Sequence, residues 1–135
     1  MGRPAVLRIT NNDTGMILAR EAVPADTFSR RLRGLLGKRS LEKGREGLVL
    51  SPCRAVHTFG MLFCLDLLFL NVSGEVLQAI CAFPPGRFSP FVNGARFVVE
   101  LPEGMIDATQ TSCGHRLIFS RMSKAVGADD PVRPE

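Results

Sequence analysis

The sequence contains no tryptophan and no tyrosine, so nine phenylalanines supply its aromatic bulk. Because phenylalanine has no polar group, a core built from it has few side-chain hydrogen-bond anchors. The four cysteines include no Cys-x-x-Cys pair, which argues against a zinc ribbon and a thioredoxin-type redox motif. Neither a Gly-x-Gly-x-x-Gly fingerprint nor a P-loop is present. The sequence therefore predicts no cofactor and no resident metal.

The sequence also lacks an apolar run long enough to cross a bilayer. The longest run, Leu62 to Leu70, contains an aspartate and falls well short of the roughly 20 residues that a spanning helix needs. Met1 to Pro4 lead directly into a strand-like run, so we expect no signal peptide. These features predict a cytoplasmic protein that does not bind a membrane and whose thiols stay reduced.

The length of 135 residues fits a single domain, predicted over residues 1–119, with a frayed tail over residues 120–135. The formal net charge is +4, and much of it lies in residues 30–46. This stretch could bind phosphate or an acidic partner. We favour a solvated helix face, because no aromatic residue is interleaved with the charges as a base-stacking surface requires.

Short apolar runs, several of them separated by turn-forming residues, predict the six or seven strands of a mainly β domain. The strongest run shows almost no alternation, so both of its faces should be covered. Because the runs come largely as hairpins, we expect a small antiparallel β-sandwich or half-open barrel. The predicted strands are Ala5–Ile9, Met16–Ala22, Gly47–Leu50, Leu62–Leu70, Glu75–Phe83, Ala95–Leu101 and Arg116–Phe119.

One amphipathic helix is predicted from Asp26 to Leu36. Phe28, Leu32 and Leu36 recur at i, i+4 and i+8 and form one apolar stripe. Gly37 is a natural C-terminal stop. We expect this helix to pack across one opening of the sheet.

Asp66 is the most informative single residue, because it lies within the strongest apolar run. An ionised carboxylate in such a place needs hydrogen bonds or a paired charge, or else its pKa rises until it is neutral. It could be a positioned base, or it could tie down a loop through backbone N–H groups, which is the interpretation that we favour. We expect it to anchor the segment just ahead, which begins at His57, so that the two form one polar site.

His57 opens the segment His57–Met61, and loops that lead into buried strands often carry binding residues. With Cys53 it forms a Cys-x-x-x-His spacing that allows three interpretations. It could be a nucleophile pair, a metal site with further ligands, or a structural arrangement in which Cys53 packs as a small apolar residue and His57 donates to Asp66 or to a carbonyl. We favour the last. The further ligands that a metal site would need are His115, Cys113 or Asp66.

Glu100 lies on the opposite strand face from Val99, and we expect it to be partly solvated. It could accept a hydrogen bond from Arg31 if the predicted helix lies over the sheet. Cys64 and Cys81 lie in hydrophobic runs and are expected in the core. His115 is expected to be a surface imidazole in a turn.

The order of several short motifs resembles the DUF192 family, a conserved bacterial and archaeal family of unknown function, over roughly residues 15–119. The histidine-containing motif His-Thr-Phe-Gly-Met is typical of one branch, and Cys64 replaces a usual proline. Gly114-His115 stands where Gly-Asp is usual. The resemblance implies a compact β-rich fold and no particular activity. The motifs are Arg31–Lys38, Glu46–Leu50, His57–Met61, Leu65-Asp66, Phe69-Leu70 and Val99–Gly104.

The leading functional hypothesis is a small non-catalytic binding module whose ligand is small and anionic, or a peptide. Its polar site would lie where the His57–Met61 loop meets the basic helix end. The first alternative is an enzyme, a hydrolase or a thiol-dependent activity that uses Cys53 and His57. The second is nucleic-acid association through residues 30–46, which the missing aromatics disfavour. The predicted ligand-binding residues are Arg31, His57, Thr58, Asp66 and Glu100.

Overall fold

The computed structural model describes residues 5–25 and 40–123. The predicted helix from Asp26 to Leu36, with Arg31, lies outside these ranges. The described residues confirm a mainly β fold, with seven strands and one short helix. The elements are β1 (Ala5–Asn11), β2 (Ile17–Ala25), β3 (Gly44–Leu50), β4 (Leu65–Leu70), β5 (Val76–Phe83), β6 (Phe97–Pro102), α1 (Met105–Ala108) and β7 (Leu117–Ser123).

The seven strands form one sheet in the order β5–β4–β6–β3–β2–β1–β7. Neighbouring strands pair antiparallel except β2 and β3, which run parallel. Parallel pairing is possible here because residues 26–43 separate the two strands, which is long enough for a crossover connection. The sheet is not closed into a barrel. An isolated bridge between Glu75 and Arg116 nevertheless joins the two edge strands where they begin.

Strand β4 lies between β5 and β6 and is buried on both faces, as its nearly continuous apolar sequence predicted. In the pairing with β6, Asp66 is opposite Leu101 and Leu67 is opposite Glu100. Directly paired residues point to the same face of a sheet, and successive residues to opposite faces. Asp66 and Glu100 therefore lie on opposite faces.

Two irregular segments, residues 51–64 and 84–96, pair with each other and are called here the paired loops. The backbone N–H of Ser89 donates to the carbonyl of Val56 at 2.8 Å, and several similar bonds follow along both segments. Val56 and Met61 pack into the same apolar cluster as Leu67. The paired loops therefore cover the face of the sheet that carries Leu67 and, by register, Glu100.

Every strand differs from its predicted range by one or more residues at an end, and the pairing explains two of these differences. Strand β7 continues to Ser123 instead of ending at Phe119, because it pairs with β1 along the whole of that strand. Strand β2 continues through Pro24, where β3 is its partner and the pairing with β1 has already ended. Within the described ranges, no helix is long and apolar enough to cross a membrane.

Candidate functional site

The carboxylate of Asp66 is fully buried and accepts three backbone hydrogen bonds. The N–H of Ala82 donates to Oδ1 at 2.9 Å, and those of Gly104 and Ile106 donate to Oδ2 at 3.1 and 2.8 Å. These bonds fix the end of β5 and the start of α1 against β4. Of its two interpretations, a positioned base or a carboxylate that binds backbone N–H groups, this geometry fits the second.

The expectation that Asp66 anchors the segment beginning at His57 is wrong. Its side chain shares a face with Leu101, whereas Met61 of that segment packs on the face that carries Leu67. The reason is that β4 is apolar on both sides, so no alternation of polar residues indicates which face its carboxylate takes. The polar residues that were predicted as one site are thus divided between two faces of the sheet.

Glu100 is fully buried, which corrects the expectation of partial solvation. Its strand, β6, lies inside the sheet between β3 and β4, and its neighbours in register are Leu48 and Leu67. The paired loops cover this face, so the position loses contact with water. Glu100 is consequently a buried carboxylate beneath the same loops that carry His57.

Thr58 fastens the two paired loops to each other. Its side chain is fully buried, and its hydroxyl donates to the carbonyl of Pro84 at 2.7 Å while accepting the N–H of Arg87 at 3.0 Å. Its backbone N–H donates to the carbonyl of Arg87, and its carbonyl accepts the N–H of Gly86, both at 2.9 Å. Thr58 positions the loops rather than presenting a hydroxyl to a ligand.

His57 belongs to a cluster of aromatic rings at the surface of the paired loops. Its ring stacks on Phe59 with centroids 5.2 Å apart and an interplanar angle of 27°. Phe88, from the other loop, meets Phe59 edge to face at 4.9 Å. Phe59 is 43% exposed and Phe88 is 74% exposed. The loops thus hold several rings together and leave them in solvent.

Exposed arginines lie in the same two loops as these rings. The Arg54 guanidinium lies 5.9 Å from the centroid of the Phe91 ring, which is 65% exposed, and Arg87 directly precedes Phe88. Sequence reasoning missed this surface, because its rings come from two segments that only the fold brings together. The sequence does contain one indication of this surface, since both segments carry phenylalanine and arginine and neither carries an acidic residue. We define the aromatic–basic surface as Arg54, His57, Phe59, Arg87, Phe88 and Phe91.

Cys53 and His57 each make a hydrogen bond within their own loop. The thiol donates to the carbonyl of Ala55 at 3.1 Å, and Nδ1 of His57 accepts the N–H of Phe59 at 3.3 Å. Among the residues that the structure describes, no group of three or more His, Cys, Asp or Glu side chains is placed to hold a metal ion.

A second polar cluster lies where β1 meets the turn before β7. Nδ2 of the buried Asn11 contacts Thr111 Oγ1 at 3.0 Å and His115 Nδ1 at 3.2 Å. The N–H of Ser112 also donates to Nδ1 of His115, at 3.2 Å. Since both neighbours of Nδ1 are donors, Nδ1 is the acceptor and the ring proton resides on Nε2. His115 is therefore a half-buried structural residue, which corrects the expectation of a surface imidazole.

Cys81 is exposed on the edge strand β5, which corrects its assignment to the core, and Cys64 is half-buried. Partial burial of the sulfur raises the pKa of the Cys81 thiol, and the negative charges of Asp66 and Asp107 raise it further. This thiol consequently ionises less readily than a free cysteine, which is the opposite of what a nucleophile needs.

Comparison with known proteins gives a consistent result. The family model of DUF192, described as an uncharacterized ACR, matches residues 8–119. The chain is 30% identical to a UPF0127 protein of Thermococcus sibiricus over 92% of this chain and 82% of that protein. It is 33% identical to a UPF0127 protein of Pyrococcus furiosus over 73% of this chain and 85% of that protein.

A solved structure from Novosphingobium aromaticivorans, of unknown function, superimposes with a TM-score of 0.69 at 17% identity and covers 84% of this chain and 83% of its own. At this identity the likeness shows the shared fold alone. The family match, in contrast, extends over nearly all of the sheet and both paired loops. The chain therefore belongs to the DUF192 family, whose members are uncharacterised proteins.

Proposed function

We propose that this protein is a small non-catalytic binding module whose ligand contacts the aromatic–basic surface. The observation that carries the proposal is that Phe59 and Phe88 stay 43% and 74% exposed although a buried threonine fastens the loops that hold them. Leaving apolar rings in water forgoes the free energy that burial would provide. Rings held exposed on a fixed frame are typical of a surface that a partner covers.

The residues predicted from the sequence take different parts in this proposal. His57 contributes its ring to the surface, whereas Thr58 positions the loops that present it. Asp66 stabilises the sheet from the opposite face and does not touch the ligand. Glu100 lies beneath the loops, and Arg31 supplies positive charge to the ligand.

The ligand is anionic, because the aromatic–basic surface carries arginines and the paired loops contain no acidic residue. A small anion or an acidic peptide satisfies this requirement. We further propose that the protein works in the cytoplasm. All four cysteines lie in the described ranges and none forms a disulfide, and thiols that stay reduced are typical of a reducing compartment.

The test is a titration of isotope-labelled protein with inorganic phosphate, a nucleoside monophosphate and a glutamate-rich peptide, followed by NMR and by thermal shift. We expect the shifted resonances to cluster in the paired loops. His57→Ala, Phe59→Ala and Arg31→Ala should each weaken binding about tenfold or more, as removal of a central contact does. Val72→Ala is the matched control, since Val72 is 74% exposed but lies in the turn after β4.

The proposal is wrong if none of these probes shifts the resonances of the paired loops while the protein is folded. It is equally wrong if the three variants bind a probe as well as the unmodified protein does. A response that Val72→Ala reduces as strongly as Phe59→Ala would indicate non-specific adhesion to exposed apolar side chains.

A further inference from the structure

The charge of the aromatic–basic surface restricts what can bind to it. The paired loops contain three arginines, Arg54, Arg87 and Arg96, all of them exposed, and no aspartate or glutamate. Arginine keeps its charge at every physiological pH and matches the geometry of phosphate oxygens. A partner that covers this surface therefore carries negative charge.

The rings restrict the shape of the partner. Phe88 and Phe91 are 74% and 65% exposed, and neither offers a hydrogen-bonding group. His57 and Phe59 stack nearly parallel, while Phe88 stands edge-on to Phe59 at an interplanar angle of 89°. The partner must then present flat apolar groups close to its negative charges. Nucleobases joined by phosphates have this combination.

The contact between Arg54 and Phe91 favours bases over a lipid surface. The guanidinium lies 5.9 Å from the ring centroid, so inserting Phe91 into a bilayer would take a charged group with it. Charged groups enter hydrocarbon at a high free-energy cost. An arginine placed over an aromatic ring instead presents a charge beside an apolar face, and unpaired bases stack on both kinds of group.

We propose that the aromatic–basic surface binds single-stranded nucleic acid, with bases stacked on Phe88 and Phe91 and phosphates held by Arg54 and Arg87. This inference rests on the proposed function and names its ligand. It differs from the sequence hypothesis about residues 30–46, which lack aromatic residues. On the paired loops, rings and arginines are interleaved, as sequence-tolerant binding of single strands requires.

The experiment uses the full chain and fluorescein-labelled oligo-dT and oligo-U of about 15 nucleotides, a length that exceeds most single-domain sites. Binding is measured by fluorescence anisotropy over a series of salt concentrations. We expect affinity to fall steeply with salt. Phe88→Leu and Phe91→Leu should each weaken binding roughly 5-fold to 100-fold, because leucine keeps the apolar bulk and removes the stacking face.

Arg87→Gln should lower the slope of log affinity against log salt by about 0.7, the value for one lost phosphate contact on a single strand. Arg121→Gln is the charge-matched control, since Arg121 is exposed on β7, away from the paired loops. It should leave the affinity and its salt dependence unchanged. Phosphatidylserine vesicles provide the comparison with a lipid surface.

Absence of oligonucleotide binding, or binding that Phe88→Leu leaves intact, overturns the inference. Vesicle binding that survives Phe88→Leu also overturns it, since leucine inserts into lipid as well as phenylalanine does. If phosphate or the glutamate-rich peptide shifts the paired loops but oligonucleotides bind no tighter than the nucleoside monophosphate, the binding module stands and only the nucleic-acid ligand fails. If no probe reaches the paired loops, both proposals fail together.

Discussion

The two carboxylate oxygens of Asp66 accept three backbone N–H groups, so exchanging either oxygen for an amide nitrogen removes an acceptor from a fully buried site. The side chain thus anchors two separate segments, the end of β5 at Ala82 and the start of α1. Ala82 has a φ of 54°, in the left-handed region that non-glycine residues seldom adopt. Its bond to Asp66 helps to hold that conformation.

We therefore expect Asp66→Asn to lower the free energy of unfolding by about 2–3 kcal/mol, the range for a lost charge-assisted hydrogen bond that leaves a buried donor unpaired. Urea unfolding at neutral pH measures the change. Asp107→Asn is the control, because Asp107 is an exposed carboxylate on α1. A difference of less than about 0.5 kcal/mol between the two variants would contradict the anchoring role.

A second prediction concerns Cys81, whose thiol pKa is raised by partial burial and by two carboxylates. Only the thiolate reacts with iodoacetamide, so its alkylation should reach half of the maximal rate at a higher pH than that of free cysteine. Asp107→Asn removes one of the negative charges and should move this midpoint back toward lower pH. Peptide mapping by mass spectrometry follows Cys81 separately, and a midpoint at or below that of free cysteine would contradict the assignment.

At the scale of elements, the strands were predictable and their pairing was only partly so. An apolar run such as β4 is a local property of the sequence, and turn formers mark its ends. The face of the sheet to which Asp66 points is not a local property of the sequence. A strand buried on both sides has no polar side, so nothing in its pattern indicates which residues point to which face. The meeting of Phe59 with Phe88 depends on irregular loops that backbone hydrogen bonds and the Thr58 hydroxyl hold together, and no periodicity records such a contact.

That hydroxyl gives an element-scale prediction. Thr58→Val keeps the shape of the side chain but removes the acceptor of the Arg87 N–H and the donor to Pro84. We expect faster hydrogen exchange at the Arg87 amide and a loss of about 1–3 kcal/mol in the free energy of unfolding. Thr58→Ser retains the hydroxyl and should preserve slow exchange. Equal exchange rates in the two variants would show that the hydroxyl does not fasten the loops.

At the scale of the whole molecule, the two edge strands are neighbours where they begin. The N–H of Leu117 donates to the carbonyl of Gly74 at 2.9 Å, and that of Val76 donates to the carbonyl of His115 at 2.8 Å. This contact between the edge strands requires glycine at position 74. A Cβ at Gly74 would come within 2.6 Å of the carbonyl oxygen of Leu117.

Gly74→Ala should therefore lower the free energy of unfolding by about 2 kcal/mol or more, since the left-handed backbone strain is joined by a clash with backbone. Gly15→Ala separates the two effects, because Gly15 has a similar positive φ and open space around its Cβ position. Thermal and urea unfolding of both variants give the comparison. If the two substitutions are equally destabilising, the clash with the Leu117 carbonyl adds nothing to the cost of Gly74→Ala.

The pairing of β1 with β7 along its full length has a consequence for synthesis on the ribosome. One edge of β1 acquires its partner only when the last strand of the sheet has left the exit tunnel. Until that moment its backbone N–H and C=O groups are available to neighbouring nascent chains, which is a route to aggregation. Translation that pauses before residue 116 would prolong this exposure, so a chaperone that shields β1 should raise the yield of native protein.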